Sequence, residues 1–239
     1  MSSIPTNTNL KEQAARRALE YLRSGMLIGL GSGSTTNIFA DLLGEQLRLG
    51  TLKDIQAVPT SESTAARART LGIPLTTLSQ AIKLHPDAPL DLVVDGADEV
   101  DPHLNLIKGL GRALLREKII AIHTRMFIVI VDQSKLVSRL GEKVPLPVEI
   151  LPFETDAHIN WLSSLGCRAE LWLEQDRSPI TTDNGNYLAL CHFEGGIPDA
   201  VDLSHKLSER PGIIESGLFL GMASRVVVAG AMNMVVLGS

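Results

Sequence analysis

Short apolar runs and helical patterns alternate along the first half of the chain. Leucine and alanine recur at helical spacing between Asn9 and Arg23, which predicts a first helix. The apolar runs that follow indicate strands buried on both faces, and their alternation with helices predicts a parallel sheet covered on both sides. The predicted strands are Met26–Leu30, Asp54–Val58, Leu90–Val94 and Phe127–Val131. A helix that ends at Leu47 follows the first strand, and two further helices are predicted at Ser61–Leu71, with Ser61 as its cap, and at Arg112–Ala121.

The pattern changes near Glu142, where Pro145 and Pro147 mark a boundary. The order then reads strand, helix, strand, strand, helix, strand, with a polar turn at Thr181–Asn186 joining the middle strands. This order predicts a small ferredoxin-like unit. The segment Arg225–Leu237 returns to a buried-strand pattern and is expected to rejoin the first sheet. The predicted fold is therefore α/β, with a Rossmann-like catalytic domain over 1–141 and 213–239 and a ferredoxin-like α+β domain over 142–212.

Composition narrows the class of protein. The chain has 239 residues, 44% of them hydrophobic, which is enough for a sizeable core. A net charge of -5 and only 4% aromatic residues argue against a nucleic-acid-binding surface. The two cysteines, Cys167 and Cys191, have no metal or redox spacing, and neither the polar start Met1–Glu20 nor the short apolar segment Val226–Leu237 resembles a signal or membrane span. A cytoplasmic protein without membrane or nucleic-acid partners is expected.

Glycines and hydroxyl residues follow the first predicted strand, in Gly29-Leu-Gly-Ser-Gly-Ser-Thr-Thr36. Glycines let backbone amides approach a ligand, and the start of the following helix adds partial positive charge. The spacing fits neither a Walker A loop nor the dinucleotide-binding fingerprint. A tight turn with a Ser/Thr cap explains the segment as well as an anion-binding loop does.

Acids and a lysine follow the strand Leu90–Val94. Asp95 and Asp98 are expected in the crevice where α/β folds bind ligands, whereas Glu99 and Asp101 are interpreted as solvated or helix-capping acids. Turn acids that bond their own backbone are the alternative. Clustered carboxylates also suit magnesium, but Lys108, which precedes a glycine turn, supplies positive charge and makes a metal less necessary. Lys135 follows the next strand and would reach the same crevice, unless it is an ordinary surface lysine.

Glu117 differs from these acids because apolar residues surround it at helical spacing. Ala113 and Leu114 precede it by one turn, and Ile120 and Ala121 follow by one turn. A carboxylate in an apolar stripe is costly to bury, and burial raises its pKa toward the range that suits a general base. A salt bridge to a buried cation is the alternative.

Taken together, these segments resemble the type A family of ribose-5-phosphate isomerases. The resemblance covers nearly the whole chain, from the first helix to Phe219, with the segments in the family's order and spacing. It rests on Gly29-Leu-Gly-Ser-Gly-Ser-Thr35, Asp95-Gly-Ala-Asp-Glu99, Ile107-Lys-Gly-Leu-Gly111, Arg116-Glu-Lys-Ile-Ile120, Asp132-Gln-Ser-Lys135, Lys143-Val-Pro-Leu-Pro-Val-Glu149 and Thr182-Asp-Asn-Gly-Asn186.

The resemblance implies interconversion of ribose 5-phosphate and ribulose 5-phosphate through an enediolate, by a homodimer without metal or other cofactor. Glu117 would be the general base and Asp95 would assist ring opening. Asp98 would orient the substrate with Lys108, whose charge would stabilise the developing oxyanion. The implied substrate-binding residues are Ser32, Gly33, Ser34, Thr35, Asp95, Gly96, Ala97, Asp98, Lys108, Gly109, Leu110, Gly111 and Lys135.

Three positions depart from the family pattern. Ser32 stands where threonine is common, Leu110 replaces a glycine, and Arg112 replaces a small residue and would add phosphate affinity or face a neighbouring subunit. A non-catalytic sugar-phosphate sensor is an alternative, although a sensor need not keep the set Asp95, Asp98, Lys108 and Glu117. Another sugar-phosphate isomerase or an acyl-CoA transferase of similar topology is the third hypothesis.

Overall fold

A computed structural model describes residues 7–231 and 233–238. Its α-helices are α1 (Asn7–Leu19), α2 (Ser34–Arg48), α3 (Glu62–Thr70), α4 (Leu78–Leu84), α5 (Leu114–Ala121), α6 (Thr155–Ser163) and α7 (Ala200–Glu209). Its strands are β1 (Leu27–Leu30), β2 (Gln56–Pro59), β3 (Leu92–Asp95), β4 (Glu99–Val100), β5 (Leu106–Ile107), β6 (Phe127–Asp132), β7 (Leu146–Ile150), β8 (Arg168–Leu171), β9 (Tyr187–His192), β10 (Ile213–Ser216), β11 (Leu218–Phe219), β12 (Arg225–Ala229) and β13 (Met234–Leu237).

The chain divides into two compact units. The first contains the residues up to 97, 116–135 and those from 222 onward, and the second contains 98–115 and 136–221. Segments 98–115 and 213–221 thus lie in the second unit, because β5 pairs with both β4 and β11, and β10 pairs with β7. The domain boundaries expected from the sequence place both segments in the first domain. Those boundaries also include residues 1–6, 232 and 239, which lie outside the described residues.

The first unit is built on a six-stranded sheet in the order β13-β12-β6-β3-β1-β2. All neighbouring pairs are parallel except β12 with β13, so the sheet is the largely parallel one that the apolar runs predict. The segment Arg225–Leu237 rejoins this sheet, as expected, and forms the two strands β12 and β13, between which the Gly230 amide donates to the Asn233 carbonyl. Buried residues of α1 and α2 pack on this sheet, among them Ala14, Ala18, Phe39 and Leu43.

Local capping explains where several helices begin. The Ser61 hydroxyl accepts a hydrogen bond from the Thr64 amide, as expected for the cap of α3. Thr77 and Gln80 form a reciprocal capping box at α4, a helix that the sequence analysis did not predict. Helix α5 begins at Leu114 rather than Arg112, because Arg112 has a φ of 67° and lies in the preceding turn.

The second unit contains a four-stranded antiparallel sheet and a three-stranded sheet. The larger sheet has the order β10-β7-β9-β8, and with α6 and α7 its elements follow the predicted β-α-β-β-α-β order. Apolar residues of these strands and helices form its core, including Leu146, Val148, Leu162 and Leu203. The smaller sheet has the order β11-β5-β4. Across the described parts of both units, no helix has the length and apolar character needed to cross a membrane.

Candidate active site

In the first unit, the sheet topology gathers most of the predicted site residues at one edge. Strands β6, β3 and β1 are neighbours and parallel, so their carboxyl ends lie side by side. The carboxyl ends of parallel strands form the crevice where α/β folds bind ligands. Asp95, Gly96 and Ala97 end β3 or follow it, Ser32, Gly33, Ser34 and Thr35 follow β1, and half-buried Lys135 ends the 3₁₀ turn after β6.

Asp95 is held close against the backbone of the loop that follows β1. Its side chain is 1% exposed, and Oδ1 accepts a 2.7 Å hydrogen bond from the Gly96 amide. A Cβ placed on Gly31 would lie only 2.1 Å from Asp95 Oδ1 and 2.6 Å from its Cβ. Gly31 is therefore needed to make room for this carboxylate, a requirement independent of backbone conformation because its φ is not positive.

Hydroxyl groups anchor the start of the same loop. Ser32 Oγ lies 2.7 Å from Ser61 Oγ and 2.9 Å from the hydroxyls of Thr60 and Thr64. Thr64 Oγ1 also donates to the carbonyl of Gly31. The Ser32 side chain thus fastens the loop to the N-terminus of α3, while Gly33 and Ser34 beyond it are exposed.

A cation that the sequence analysis missed stands beside this loop. Lys11 on α1 donates from Nζ to Ser34 Oγ across 2.9 Å. Its position on a polar helix face gives no sequence signal, because solvated lysines on such faces are common. The contact adds a positive charge beside a helix N-terminus, where the amides and the helix dipole already favour an anion.

Glu117 is buried on α5, as the apolar stripe predicts. Only 3% of it is exposed, and Ile120 and Ala121 on the next turn are buried with it. A Cβ on Gly29 would meet Ile120 Cγ2 at 2.6 Å, so the helix packs closely on β1 just before the loop. The neighbouring Arg116 points elsewhere and pairs with exposed Glu62 at 2.8 Å.

In the second unit, Lys108 and Asp98 belong to one small structure around β4 and β5. Lys108 is 3% exposed, its amide donates to the Gly217 carbonyl, and its Nζ lies 5.4 Å from the centre of the Phe219 ring. The Asp98 amide donates to the Ile107 carbonyl. Asp98 Oδ2 accepts a 3.0 Å hydrogen bond from the amide of Leu110. Asp98 therefore fixes the turn that follows Lys108.

The turn itself runs through Gly109, Leu110 and Gly111 to Arg112. Gly109 has a φ of 113°, which favours glycine, and a Cβ there would approach Leu114 to 2.8 Å. The Arg112 amide donates to the Gly109 carbonyl and closes the turn. The Arg112 guanidinium binds Glu174 rather than standing free.

The interpretation of Glu99 as a solvated or helix-capping acid is wrong. Glu99 is fully buried, and its carboxylate accepts hydrogen bonds from the backbone amides of Gly141, Lys143 and Val144. Nothing in the local sequence distinguishes it from its acidic neighbours, since its partners lie more than 40 residues away. Asp101 instead bonds amides of its own turn, those of His103 and Asn105. Among the described residues, no group of three or more His, Cys, Asp or Glu side chains is arranged to hold a metal ion.

Comparison with known proteins links these segments to one family. The family model for ribose 5-phosphate isomerase A (phosphoriboisomerase A) matches residues 56–233. A ribose-5-phosphate isomerase A from Roseiflexus castenholzii is 50% identical over 92% of this chain and 91% of its own length.

Solved structures give the same result. The chain is similar to a D-ribose-5-phosphate isomerase in complex with phospho-erythronic acid, with a TM-score of 0.93 and 42% identity over 98% of this chain and 100% of that one. It is also similar to ribose 5-phosphate isomerase A from Methanocaldococcus jannaschii, with a TM-score of 0.89 and 36% identity over 98% and 100% of the two chains.

Proposed function

Because the chain belongs to the ribose 5-phosphate isomerase A family, we propose that it interconverts D-ribose 5-phosphate and D-ribulose 5-phosphate. The observation that carries this proposal is Glu117, a buried carboxylate within the segment Arg116–Ile120 that the resemblance rests on. Moving a proton between adjacent carbons requires a desolvated base and a fixed positive charge for the developing oxyanion. Lys108, equally buried within its own unit, supplies a cation of this kind.

In the proposed reaction, Glu117 removes the proton from carbon-2 of the open-chain aldose. The electron pair forms the carbon-1–carbon-2 double bond of an enediolate, and the carbonyl oxygen at carbon-1 takes up negative charge. Lys108 stabilises that charge, and Asp98 orients the substrate with it. Glu117 then returns the proton to carbon-1, while the hydroxyl proton of oxygen-2 passes to oxygen-1. Asp95 opens the sugar ring beforehand and carries protons at the sugar oxygens.

Binding of the phosphorylated sugar is assigned to the loop Ser32–Thr35, to Gly96 and Ala97, and to the turn Gly109–Gly111. The N-terminus of α2, with Gly33 as its cap, supports anion binding by this loop. Lys135 and Lys11 add positive charge in the same unit. The Leu110 amide already donates to Asp98, so it acts by holding Asp98 in place.

The base assignment is tested by Glu117→Gln, which keeps the shape of the side chain and removes its basicity. Turnover of ribose 5-phosphate should fall by roughly 10²–10⁴-fold, the usual contribution of a positioned base. Binding of ribose 5-phosphate, measured by calorimetry, should persist. Glu149→Gln is the control for loss of a buried carboxylate: Glu149 accepts hydrogen bonds from Thr182, Asn184 and Asn186, so this change should lower stability and leave turnover per folded molecule unchanged. If Glu117→Gln keeps its turnover, Glu117 is not the base.

Further parts of the proposal have separate assays. Turnover of hexose phosphates without turnover of ribose 5-phosphate would overturn the substrate assignment. We propose that no metal takes part, so activity should survive exhaustive chelation, and a loss restored by magnesium would contradict this. A homodimer is inferred from the family resemblance, and light scattering of the purified protein tests it. A cytoplasmic location is inferred from the spacing of the two cysteines, Cys167 and Cys191.

A further inference from the structure

The turn that carries Lys108 ends at Arg112, a residue with an unusual backbone conformation. Arg112 has a φ of 67°, in the left-handed region that a side chain with a Cβ adopts at a cost in free energy. Its amide nevertheless donates to the Gly109 carbonyl and completes the turn. Because glycine would adopt this conformation more easily, contacts of the arginine side chain are expected to offset the strain.

Two side chains of the second unit hold the Arg112 guanidinium. Its NH1 and NH2 groups donate to the two carboxylate oxygens of Glu174 across 2.5 and 3.3 Å, which is a bidentate pairing. The guanidinium carbon also lies 5.4 Å from the centre of the Trp172 ring, within the range of a cation–π contact. The charge of Arg112 is thus compensated by Glu174, and the guanidinium lies over the Trp172 ring.

The partners of Arg112 are themselves held by backbone hydrogen bonds, and those of Trp172 reach the larger sheet of the second unit. The Trp172 amide donates to the Leu188 carbonyl of β9, and its carbonyl accepts from Ile180. The Glu174 amide donates to the Ser178 carbonyl. Leu114, two residues after Arg112, packs with Ile180 and Leu188, so the chain on the far side of the turn is anchored to the same strands.

We propose that Arg112, Trp172 and Glu174 form a clamp that positions the Lys108–Gly111 turn for catalysis. Asp98 holds the middle of the turn through the Leu110 amide, and the clamp holds its end. Gly111, between these two anchors, is exposed, and a Cβ there would meet no atom within 4 Å, so the space beside it is open. Arg112 is a positioning residue in this scheme and does not bind the phosphate. The scheme rests on the isomerase function proposed above.

A double-mutant cycle tests the clamp, with Arg112→Ala, Glu174→Ala and the double variant. Each single change should lower kcat about three- to tenfold with little change in KM. The double variant should be no worse than Arg112→Ala, since Arg112→Ala already removes the contact with Glu174. The charge swap Arg112→Glu with Glu174→Arg should recover part of the rate. Arg168→Ala is the matched control, because Arg168 forms a similarly exposed pair with Glu170 in the same unit and should leave kcat unchanged.

The outcomes separate this scheme from a phosphate-binding role of Arg112. If Arg112 bound phosphate, Arg112→Ala would raise KM, whereas Glu174→Ala would free the guanidinium and lower KM; either result overturns the clamp. Additive losses in the double variant would overturn it as well. Thermal unfolding of each variant identifies losses that come from misfolding, and Arg112→Lys, which keeps charge but not the bidentate geometry, should fall between wild type and Arg112→Ala.

Amide hydrogen exchange tests the clamp without reference to activity. The peptide covering Leu110–Arg112 should exchange faster in Arg112→Ala and in Glu174→Ala, and at the wild-type rate in Arg168→Ala. Unchanged exchange would refute the clamp. Faster exchange with unchanged kcat would refute its catalytic role. If the wild-type chain itself does not turn over ribose 5-phosphate, the proposed function fails, and exchange still decides whether the turn is clamped.

Discussion

Replacing Gly31 by alanine would place the new side chain directly against Asp95 and displace its carboxylate. The added Cβ would lie 2.1 Å from Asp95 Oδ1, 2.2 Å from its Cγ and 2.6 Å from its Cβ. Rotation of the Asp95 side chain removes the first two clashes but not the third, because rotation about the Cα–Cβ bond leaves the Cβ in place. The backbone of β3 or of the loop after β1 must therefore shift.

The distances give the size of the shift. Once the Asp95 side chain has rotated, separating the new Cβ from the Asp95 Cβ to an ordinary contact of 3.4 Å requires about 0.8 Å, the difference between 3.4 and 2.6 Å. The Gly31 amide donates to the Val94 carbonyl across 2.9 Å, so the same movement strains the pairing of loop and strand. Misplacing a catalytic group by about 1 Å can cost roughly a hundredfold in rate, and overpacking of this kind costs about 1–3 kcal/mol of stability.

The assay compares kcat/KM for ribose 5-phosphate with the folded fraction measured by urea denaturation. Gly31→Ala should lose roughly a hundredfold in kcat/KM per folded molecule. Gly25→Ala is the control for stability alone: Gly25 has a φ of 86° with no atom within 4 Å of an added Cβ, so alanine there costs about 1–2 kcal/mol by backbone strain. Its kcat/KM per folded molecule should not change. A folded Gly31→Ala protein within about threefold of wild-type kcat/KM would refute the role given to Asp95 and its packing.

Two substitutions and one chemical modification test single contacts. Glu99→Gln should destabilise the protein by about 2–4 kcal/mol in urea denaturation, because the carboxylate accepts hydrogen bonds from three backbone amides and a glutamine must turn its own NH₂ group toward one of them. Glu45→Gln, on the exposed side of α2, should leave stability unchanged. Equal stability of the two variants would contradict the role given to Glu99. Lys11→Met should raise KM for ribose 5-phosphate several-fold at unchanged kcat, because Lys11 lies beside the loop that follows β1. Lys83→Met is the control and should leave KM unchanged. An unchanged KM in Lys11→Met would show that Lys11 is not part of the binding site. A hydrogen bond from the Cys191 thiol lowers the pKa of Cys167, and the same contact together with burial raises the pKa of Cys191. At a pH just below the ordinary pKa of a cysteine, Cys167 therefore carries more thiolate than Cys191, and iodoacetamide should modify Cys167 first. Faster modification of Cys191 would contradict this ordering.

Burial patterns along the sequence predict much of the fold because each depends on residues close together in the chain. The apolar runs identify β1, β3 and β6, and helical spacing around Glu117 predicts its burial. The sequence also places Asp95 and Ser32 after neighbouring strands, where parallel topology gathers them. These inferences need only the periodicity of strands and helices and the common edge of a parallel sheet.

Contacts between distant segments lie beyond such patterns. Strands β4 and β5 have two residues each, too few to show a period, and the pairing of β5 with β11 brings together residues more than 110 positions apart. For the same reason nothing local reveals that Glu99 binds the amides of 141–144, or that Lys11 reaches Ser34. Their roles depend on partners that only the folded chain supplies.

Leu110 and Arg112, the two departures from the family's lysine-glycine turn, show how the structure accommodates them. A leucine side chain at position 110 leaves the backbone amide available, and that amide is the one that binds Asp98. An arginine at position 112 is placed in a backbone conformation that disfavours it, yet Glu174 and Trp172 hold its side chain. An amide contact is insensitive to side-chain identity, whereas a strained arginine needs its partners. Substitutions at Leu110 that leave the backbone unchanged are therefore expected to be tolerated. Whether a substitution at Arg112 is tolerated is expected to depend on the residues at positions 172 and 174.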